Sequence, residues 1–245
     1  AVTSVAAWVS KVVLEMAEQS VVPIGDEQGP VGGDIEVDGP DGLSIDERIE
    51  RSRAYLQTYQ ADSLITPCVL AHGTYTVGPN HLAQAHALAD EFGALFHIHA
   101  SESAAEVGIV KERYGQTPPQ LLDHLGALDE RTVLAHCVHV SDEEIALLAE
   151  RGATVVHCPL SNLKSGAGIA PIPQMRAAGI PVLLGTDGAA SNNNLDMLGE
   201  MHTATLLAKG IAGDARALPA DQVLRMATPL QVNLRVRFAE VMTRM

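Results

Sequence analysis

Short apolar runs rich in β-branched residues recur along this chain, with helical stretches between them, and this alternation constrains the fold most. Strand–helix units of roughly 20 to 35 residues imply parallel strands joined by right-handed crossovers. We therefore predict an α/β fold, either an open doubly wound sheet or a closed (β/α)8 barrel, and the strand count alone does not choose between them. The predicted strands cover residues 21–24, 64–70, 94–99, 132–137, 154–158 and 180–184.

Start and stop signals delimit the predicted helices. The helix over residues 141–151 starts with Ser141 as its N-cap, has Glu144 three positions later and stops at Gly152. The same S-x-x-E pattern predicts a capping box that opens a helix over residues 45–59. Further predicted segments are an amphipathic helix over 1–18, a long acidic surface loop over 25–43 and a helix over 81–92.

The composition narrows the classes of function. A net charge of -14 argues against a nucleic-acid partner, because phosphate backbones are bound by clustered Lys and Arg, and it favours a small neutral or cationic substrate. Cys68, Cys137 and Cys158 lie in apolar runs, so we expect buried, reduced thiols. No basic segment followed by an apolar run opens the chain, and no run of about 18 apolar residues occurs. We therefore expect a cytoplasmic protein that does not bind membranes.

Titratable side chains stand at the carboxyl end of one predicted strand after another. In a barrel these ends converge on one mouth, so residues roughly 30 positions apart can share a cavity, whereas an open sheet would spread them out. His and Asp are also natural ligands of divalent transition metals. One strand-end histidine is usually a packed, hydrogen-bonded residue, but a series predicts a shared functional site. The series is His72, His97, His99, His136, His157 and Asp187.

Two features surround His99. His97 falls on the same strand face, because strand side chains alternate, so spacing alone would let both histidines bind one metal. Glu102 follows just past the strand end, where a general acid or base could reach a metal-held substrate. The alternative interpretation of Glu102 is a carboxylate in the first turn of a helix.

Four sequence blocks carry a resemblance to a known family: H-I-H-A-S-E, A-H-C-V-H, S-N-L-K-S-G-x-G-I-A-P and G-T-D-G-A-A-S-N-N-N-L-D. They resemble the amidohydrolase superfamily, in the branch of S-adenosylhomocysteine and 5-methylthioadenosine deaminases and triazine chlorohydrolases. The last two blocks are specific to this branch, and the resemblance runs from about residue 64 to residue 228. It implies a TIM-type (β/α)8 barrel of the metal-dependent hydrolase kind.

The resemblance also implies roles for individual residues. His99 and Asp187 would bind one divalent metal, with Zn²⁺ as the implied ion and Fe²⁺ as the alternative. The catalytic residues would be Glu102, which protonates a ring nitrogen, His136, which orients the attacking water, and Asp187. Substrate would be contacted by His72, Glu102 and Ser191.

The implied reaction is hydrolytic deamination of an adenine-type ring by metal-bound hydroxide, with release of ammonia. The substrate would be a small purine nucleoside thioether, S-adenosylhomocysteine or 5-methylthioadenosine, or adenosine itself. Hydrolysis of an amino- or chlorotriazine by the same water and metal is the alternative within the enzyme class. A homo-oligomer is compatible with this interpretation.

Two departures from the family pattern lead to a further expectation. The first strand of the superfamily supplies a His-x-His pair, but here the one H-x-H, His97 to His99, sits in the context of the fifth strand. The amino-acid sequence after residue 228 also diverges from the sequence pattern of the family. We therefore expect residues 1–245 to form a single truncated catalytic barrel domain, family-like over 64–228 with a divergent tail over 229–245, lacking the first strands and the small β domain. Because two of about four metal ligands would be missing, we expect weak or no activity, and a non-catalytic partial barrel is the alternative of another class.

Overall fold

The structure, a computed structural model, describes residues 44–62 and 67–228. The predicted helix over 1–18, strand over 21–24, loop over 25–43 and tail over 229–245 lie outside the described residues. The strands are β1 Cys68–Gly73, β2 Leu95–Ala100, β3 Thr132–His136, β4 Thr154–His157 and β5 Val182–Leu184. The helices are α1 Ile45–Tyr59, α2 Pro79–Phe92, α3 Ala104–Tyr114, α4 Pro118–His124, α5 Asp142–Arg151, α6 Pro159–Ser165, α7 Ile172–Ala177, α8 Ala189–Asn192, α9 Met197–Ala212 and α10 Ala220–Met226.

The described strands form one sheet whose spatial order is the order of the sequence, β1 to β5. Every neighbouring pair is parallel; Ile98 of β2, for example, lies opposite Ala71 of β1 and Leu134 of β3. A doubly wound sheet reverses its strand order at a switch point. The uninterrupted order therefore decides between the two predicted architectures and favours the wall of a (β/α)8 barrel.

The helix ends follow the predicted signals. Ser44 and Ser141 cap α1 and α5, and each N-cap N–H donates to the carboxylate of the glutamate three residues later. Gly93 ends α2 with a φ of 60°, a left-handed conformation that glycine adopts without steric cost. Helix α2 starts at Pro79, two residues before the predicted start, because proline is well suited to the first helical position.

Strand β1 extends further than the sequence suggested. The apolar run ends at Leu70, but the ladder with β2 continues, with Ala71 opposite Ile98 and Gly73 opposite His99. His72 thus lies inside the strand, where the prediction placed it beyond the end. The difference arises because backbone pairing with a neighbouring strand does not require an apolar side chain.

Two apolar clusters cover the two faces of the sheet. The larger joins the sheet to the helices and includes Phe96 and Ile98 of β2 with Leu82 of α2 and Leu148 of α5. The second, within the described residues, holds only residues on or beside strands: Leu95, Val133, Val156, Cys158 and Leu183, with Cys68 packed against them. Because strand side chains alternate, His97 and His99 share this second face with Leu95.

All three cysteines are free thiols, with Cys137 and Cys158 buried and Cys68 half-buried. Burial raises the pKa of the Cys68 thiol to about 11, so the thiol is protonated at neutral pH. Among the described helices, none combines the length and apolar character that a bilayer crossing requires.

Candidate active site

Three predicted site residues meet at the carboxyl end of the sheet. His99 stands near the end of β2, His136 ends β3, and Asp187 follows β5. Their potential ligand atoms all lie within 4.8 Å of one another. The rings of His99 and His136 stack, with centroids 5.4 Å apart. This group of two imidazoles and a carboxylate could hold a divalent metal ion.

His99 is oriented by a backbone carbonyl. Its Nδ1 lies 2.7 Å from the carbonyl oxygen of His72, and since a carbonyl only accepts, Nδ1 carries the proton. Burial is the main cause that lowers the pKa of His99, which favours the neutral ring. Nε2 therefore keeps its lone pair, which is the arrangement of a metal-binding histidine.

His136 is held by an asparagine and lies near the predicted general acid. Oδ1 of Asn162 lies 2.8 Å from Nδ1 of His136 and accepts its hydrogen. On the other side of the ring, Nε2 lies 3.8 Å from Oε2 of Glu102, whose side chain is 34% exposed. Glu102 thus lies beside His136 and is partly exposed, so a substrate could reach it.

The Asp187 carboxylate accepts two hydrogen bonds. The hydroxyl of Ser161 donates to Oδ2 over 2.5 Å, and the backbone N–H of Gly188 donates to Oδ1 over 2.7 Å. Ser161 is adjacent to Asn162, so one turn of α6 orients both Asp187 and His136. No role was predicted for Ser161 or Asn162, although a polar pair just past the end of β4 was a usable signal.

Non-glycine residues with positive φ mark three of the strand ends. The φ angles are 54° at Ser101, 74° at His136 and 59° at Asp187. Such angles are uncommon for residues with a Cβ, and residues of this kind concentrate at functional sites. Here His136 is the last residue of β3, and Ser101 and Asp187 follow the ends of β2 and β5, so each of the three lies where a strand ends.

His72 lies against the site. Its ring centroid is 5.4 Å from that of His99, and its Nδ1 lies 2.7 Å from Oγ1 of Thr76. Burial lowers the pKa of His72 to about 4, so the ring is neutral at physiological pH. A neutral imidazole in this place could hydrogen-bond to a substrate either as donor or as acceptor.

The other predicted residues are less tightly placed. Ser191 is exposed on the short helix α8, where its backbone N–H donates to the carbonyl of Gly188. His97 is buried beneath His99, with ring centroids 6.1 Å apart, but it is not in the three-residue group. The structure therefore does not support the spacing-based idea that His97 and His99 bind one metal together. His157 is buried in β4, and burial lowers its pKa, like that of His97, to about 3.

Glu200 is a further buried acid that the sequence analysis missed. It is fully buried, and its carboxylate accepts from the Leu160 N–H over 3.2 Å and from Asn192 Nδ2 over 2.5 Å. Asn192 Nδ2 also lies 2.6 Å from the carbonyl of Thr186, beside Asp187. Burial raises the pKa of Glu200 to about 7. Its spacing from the buried Ala204 and Ala208 marks the inner face of α9 and was the available signal.

A second cluster lies towards the amino end of the sheet. His86 and Asp90 of α2 face Asp129, which precedes β3, at ligand-like spacing. Arg131 contacts both carboxylates, with Nη2 3.3 Å from Oδ2 of Asp129. A cationic side chain therefore already balances these acids, and the cluster is an ion-pair network.

Comparison with known proteins agrees with this geometry. The sequence profile of the amidohydrolase family matches residues 1–229. The chain belongs to the amidohydrolase family. The strand order and the helices on one face are accordingly those of an amidohydrolase barrel wall.

Curated members of the amidohydrolase family include close relatives of this chain. The 5-methylthioadenosine/S-adenosylhomocysteine deaminase of Moorella thermoacetica is 51% identical over 164 residues, which are 67% of this chain and 38% of that protein. The enzyme of the same name from Aquifex aeolicus is 44% identical over 183 residues, 75% of this chain and 43% of that protein. The chain thus spans about two fifths of the length of these relatives.

Solved amidohydrolase structures superpose on the described fold. An adenosine deaminase from Xanthomonas campestris with bound zinc has a TM-score of 0.76 and 39% identity, covering 79% of this chain and 44% of that one. Atrazine chlorohydrolase from Arthrobacter aurescens, complexed with zinc, has a TM-score of 0.63 and 28% identity, covering 74% and 42%. Zinc-containing members of the family therefore share this arrangement of strands.

Proposed function

We propose that this amidohydrolase deaminates an adenine-type ring by hydrolysis, with S-adenosylhomocysteine, 5-methylthioadenosine or adenosine as substrate. The observation that carries the proposal is the group of His99, His136 and Asp187 with Glu102 3.8 Å from His136. Relatives that carry deaminase names are up to 51% identical, which supports the choice of an adenine-type substrate. The net charge of -14 suits a neutral or cationic nucleoside better than an anionic one.

The side chains fit a divalent metal, which we propose is Zn²⁺, with Fe²⁺ as the alternative. His99 would supply Nε2, because its Nδ1 is bound to the His72 carbonyl, and Asp187 would supply a carboxylate oxygen. A metal held here would lower the pKa of water to about 7 and would so make a nucleophile available at neutral pH. The zinc named in two similar solved structures supports this choice of metal.

Different residues of the chain would then carry out the different proton transfers. Asp187 and His136 would accept the proton that the attacking water gives up, and Glu102 would donate a proton to the ring nitrogen next to the reacting carbon. Transfer of a proton to the amino group releases ammonia and leaves a carbonyl on the ring. His72 and Ser191 would orient the substrate.

Ammonia release from the intact protein tests this proposal. S-adenosylhomocysteine, 5-methylthioadenosine and adenosine would each be incubated with zinc-loaded protein, with Asp187→Asn as the inactive control. Because weak activity is expected, we look for slow release of ammonia from at least one nucleoside and for none from the variant. Failure to release ammonia from all three would contradict the proposal.

Triazine hydrolysis is the second candidate function. A triazine hydrolase variant superposes with a TM-score of 0.73 at 26% identity over 79% of this chain. Turnover of a chlorotriazine without turnover of any nucleoside would favour this candidate.

A non-catalytic barrel module is the alternative outside the enzyme class. Metal analysis of the purified protein separates it from the enzyme proposals. About one zinc or iron ion per chain, lost in Asp187→Asn, would support an enzyme, and a folded protein that takes up no metal would support the module.

A further inference from the structure

The S-x-x-E pattern occurs at the start of three described helices, and its glutamate makes different hydrogen bonds in one of them. In α1 the N–H of Ser44 donates to Glu47 over 2.8 Å, and in α5 the N–H of Ser141 donates to Glu144 over 2.6 Å. Both are ordinary capping boxes, in which the glutamate satisfies the backbone of its own N-cap. The third instance, at the start of α3, differs.

Ser103 caps α3, and its hydroxyl accepts from the Glu106 N–H over 3.1 Å, as a capping box requires. The Glu106 side chain instead bonds to residues before the N-cap. Its Oε1 accepts from the Ser101 N–H over 3.0 Å, and its Oε2 accepts from the Glu102 N–H over 2.7 Å. One carboxylate therefore binds two consecutive N–H groups of the bend that carries Glu102.

That bend is strained and is held from its other side as well. Ser101 has a φ of 54°, in the left-handed region. Its carbonyl accepts from the His139 N–H over 2.9 Å, just beyond His136. The bend is thus fastened both to α3 and to the segment that follows β3, which keeps the Glu102 carboxylate 3.8 Å from His136.

We propose that Glu106 is a positioning residue that holds the Ser101–Glu102 bend so that the Glu102 carboxylate can protonate the substrate ring. This inference rests on the proposed deaminase function. Glu106 is 4% exposed and does not need to contact substrate for this role. It acts through the backbone N–H groups of Ser101 and Glu102.

The role requires a carboxylate and not merely a polar side chain of the same size. Both partners of Glu106 are N–H donors, and both carboxylate oxygens accept. A glutamine would present one oxygen and one NH2 group, so one of the two N–H groups would face another donor. The bend would then lose a hydrogen bond and relax towards an ordinary φ at Ser101.

Glu144→Gln is the matched control for Glu106→Gln. Both glutamates are the third residue of a helix, both are buried, at 6% and 4% exposure, and both accept from backbone N–H groups. We expect Glu106→Gln to lower kcat at least tenfold, with KM and metal content unchanged, by analogy with the loss of outer supports in other sites. Glu144→Gln should leave kcat unchanged, and hydrogen exchange at the Ser101 and Glu102 amides should accelerate only in Glu106→Gln.

The double variant Glu102→Gln/Glu106→Gln distinguishes positioning from a general structural role. If Glu106 acts through Glu102, adding Glu106→Gln to Glu102→Gln lowers kcat no further. A further drop of tenfold, or a kcat for Glu106→Gln equal to that of Glu144→Gln, would overturn the positioning role while wild-type activity still upheld the deaminase. A wild-type protein inactive on every nucleoside would instead overturn the proposed function itself.

Discussion

The hydroxyl of Ser161 donates to Oδ2 of Asp187 across 2.5 Å, although the two residues are 26 positions apart. Because the Gly188 N–H also donates to Oδ1, both oxygens are held, and the carboxylate has a fixed orientation beside His99 and His136. Because Ser161 is only 1% exposed, water cannot easily replace its hydroxyl. The orientation of Asp187 therefore depends on a residue of another strand–helix unit.

Replacing Ser161 by alanine should weaken metal binding. Loss of a hydrogen-bonding support for a metal ligand typically lowers affinity by 10 to 100-fold, so we expect a zinc dissociation constant raised by about tenfold or more. Competition with a chromogenic chelator would measure it. Ser165→Ala is the control, since the hydroxyl of this exposed serine of the same helix donates to the Asn162 carbonyl and not to a metal ligand. Equal zinc affinity in the two variants would contradict the prediction.

Replacing Glu102 by glutamine should lower kcat by about 100-fold or more, because a general acid contributes about 10² to 10⁴-fold to the rate. Metal content should not change, since Glu102 is outside the group of potential ligands. Steady-state ammonia release and metal analysis would measure the two quantities. Glu112→Gln, on the exposed side of α3, is the control. A variant that keeps full kcat would exclude Glu102 as the proton donor.

Glu200 should make the stability depend on pH. Burial raises its pKa from 4.5 to about 7, so between these values the folded chain binds more protons than the unfolded chain. Its contribution to stability is therefore full below about pH 4.5 and is lost as the pH rises through 7, by up to about 1.4 kcal/mol per pH unit. The buried histidines His72, His97 and His157, whose pKa values are lowered, act in the opposite direction.

Comparison with Glu200→Gln isolates this contribution, because glutamine does not titrate. Urea unfolding at several pH values from 4.5 to 7 would give the difference in the free energy of unfolding between variant and wild type. We expect the wild type to lose stability relative to the variant as the pH rises. Glu150→Gln, 70% exposed, should show no such trend. A pH-independent difference for Glu200→Gln would mean that the carboxyl does not titrate in this range.

Gly185 should tolerate no larger residue. A Cβ there would lie 2.7 Å from Cγ1 of Val156 and 3.2 Å from Sγ of Cys158, inside the smaller apolar cluster. We expect Gly185→Ala to destabilise the fold by about 1 to 3 kcal/mol, the usual cost of overpacking. Gly210→Ala is the opposite case, because nothing lies within 4 Å in α9, and alanine should stabilise that helix by about 1 kcal/mol. Thermal unfolding of both variants, and partial rescue of Gly185→Ala by Val156→Ala, would check the steric cause.

Much of the architecture could be predicted from local patterns. The apolar runs predicted β2 to β5 to within two residues, and the caps predicted α1 and α5, because strand burial and helix capping depend on neighbours in sequence. The strand-end rule also placed His99, His136 and Asp187 at one edge. The roles of these residues remain predictions: His99 and Asp187 as metal ligands, and His136 as the residue that orients the attacking water.

The residues that hold the site residues in place by hydrogen bonds could not be predicted in the same way. Asn162 reaches His136 over 26 positions, and Glu200 reaches the Leu160 N–H over 40. Such contacts follow from how strand–helix units pack, which residue spacing does not encode. The Ser103–Glu106 pattern would even have misled, since locally it predicts an ordinary capping box.

The residues with left-handed backbone conformation at the strand ends carry side chains that the proposed activity needs, but their conformation lowers the stability of the fold. An L residue in this region costs roughly 1 to 2 kcal/mol, a strain that glycine avoids. Replacing His136 or Asp187 by glycine would relieve this strain and remove a reacting group in the same step. Selection for a more stable barrel alone would therefore favour glycine at these positions, whereas selection for chemistry would favour the histidine and the aspartate that occupy them.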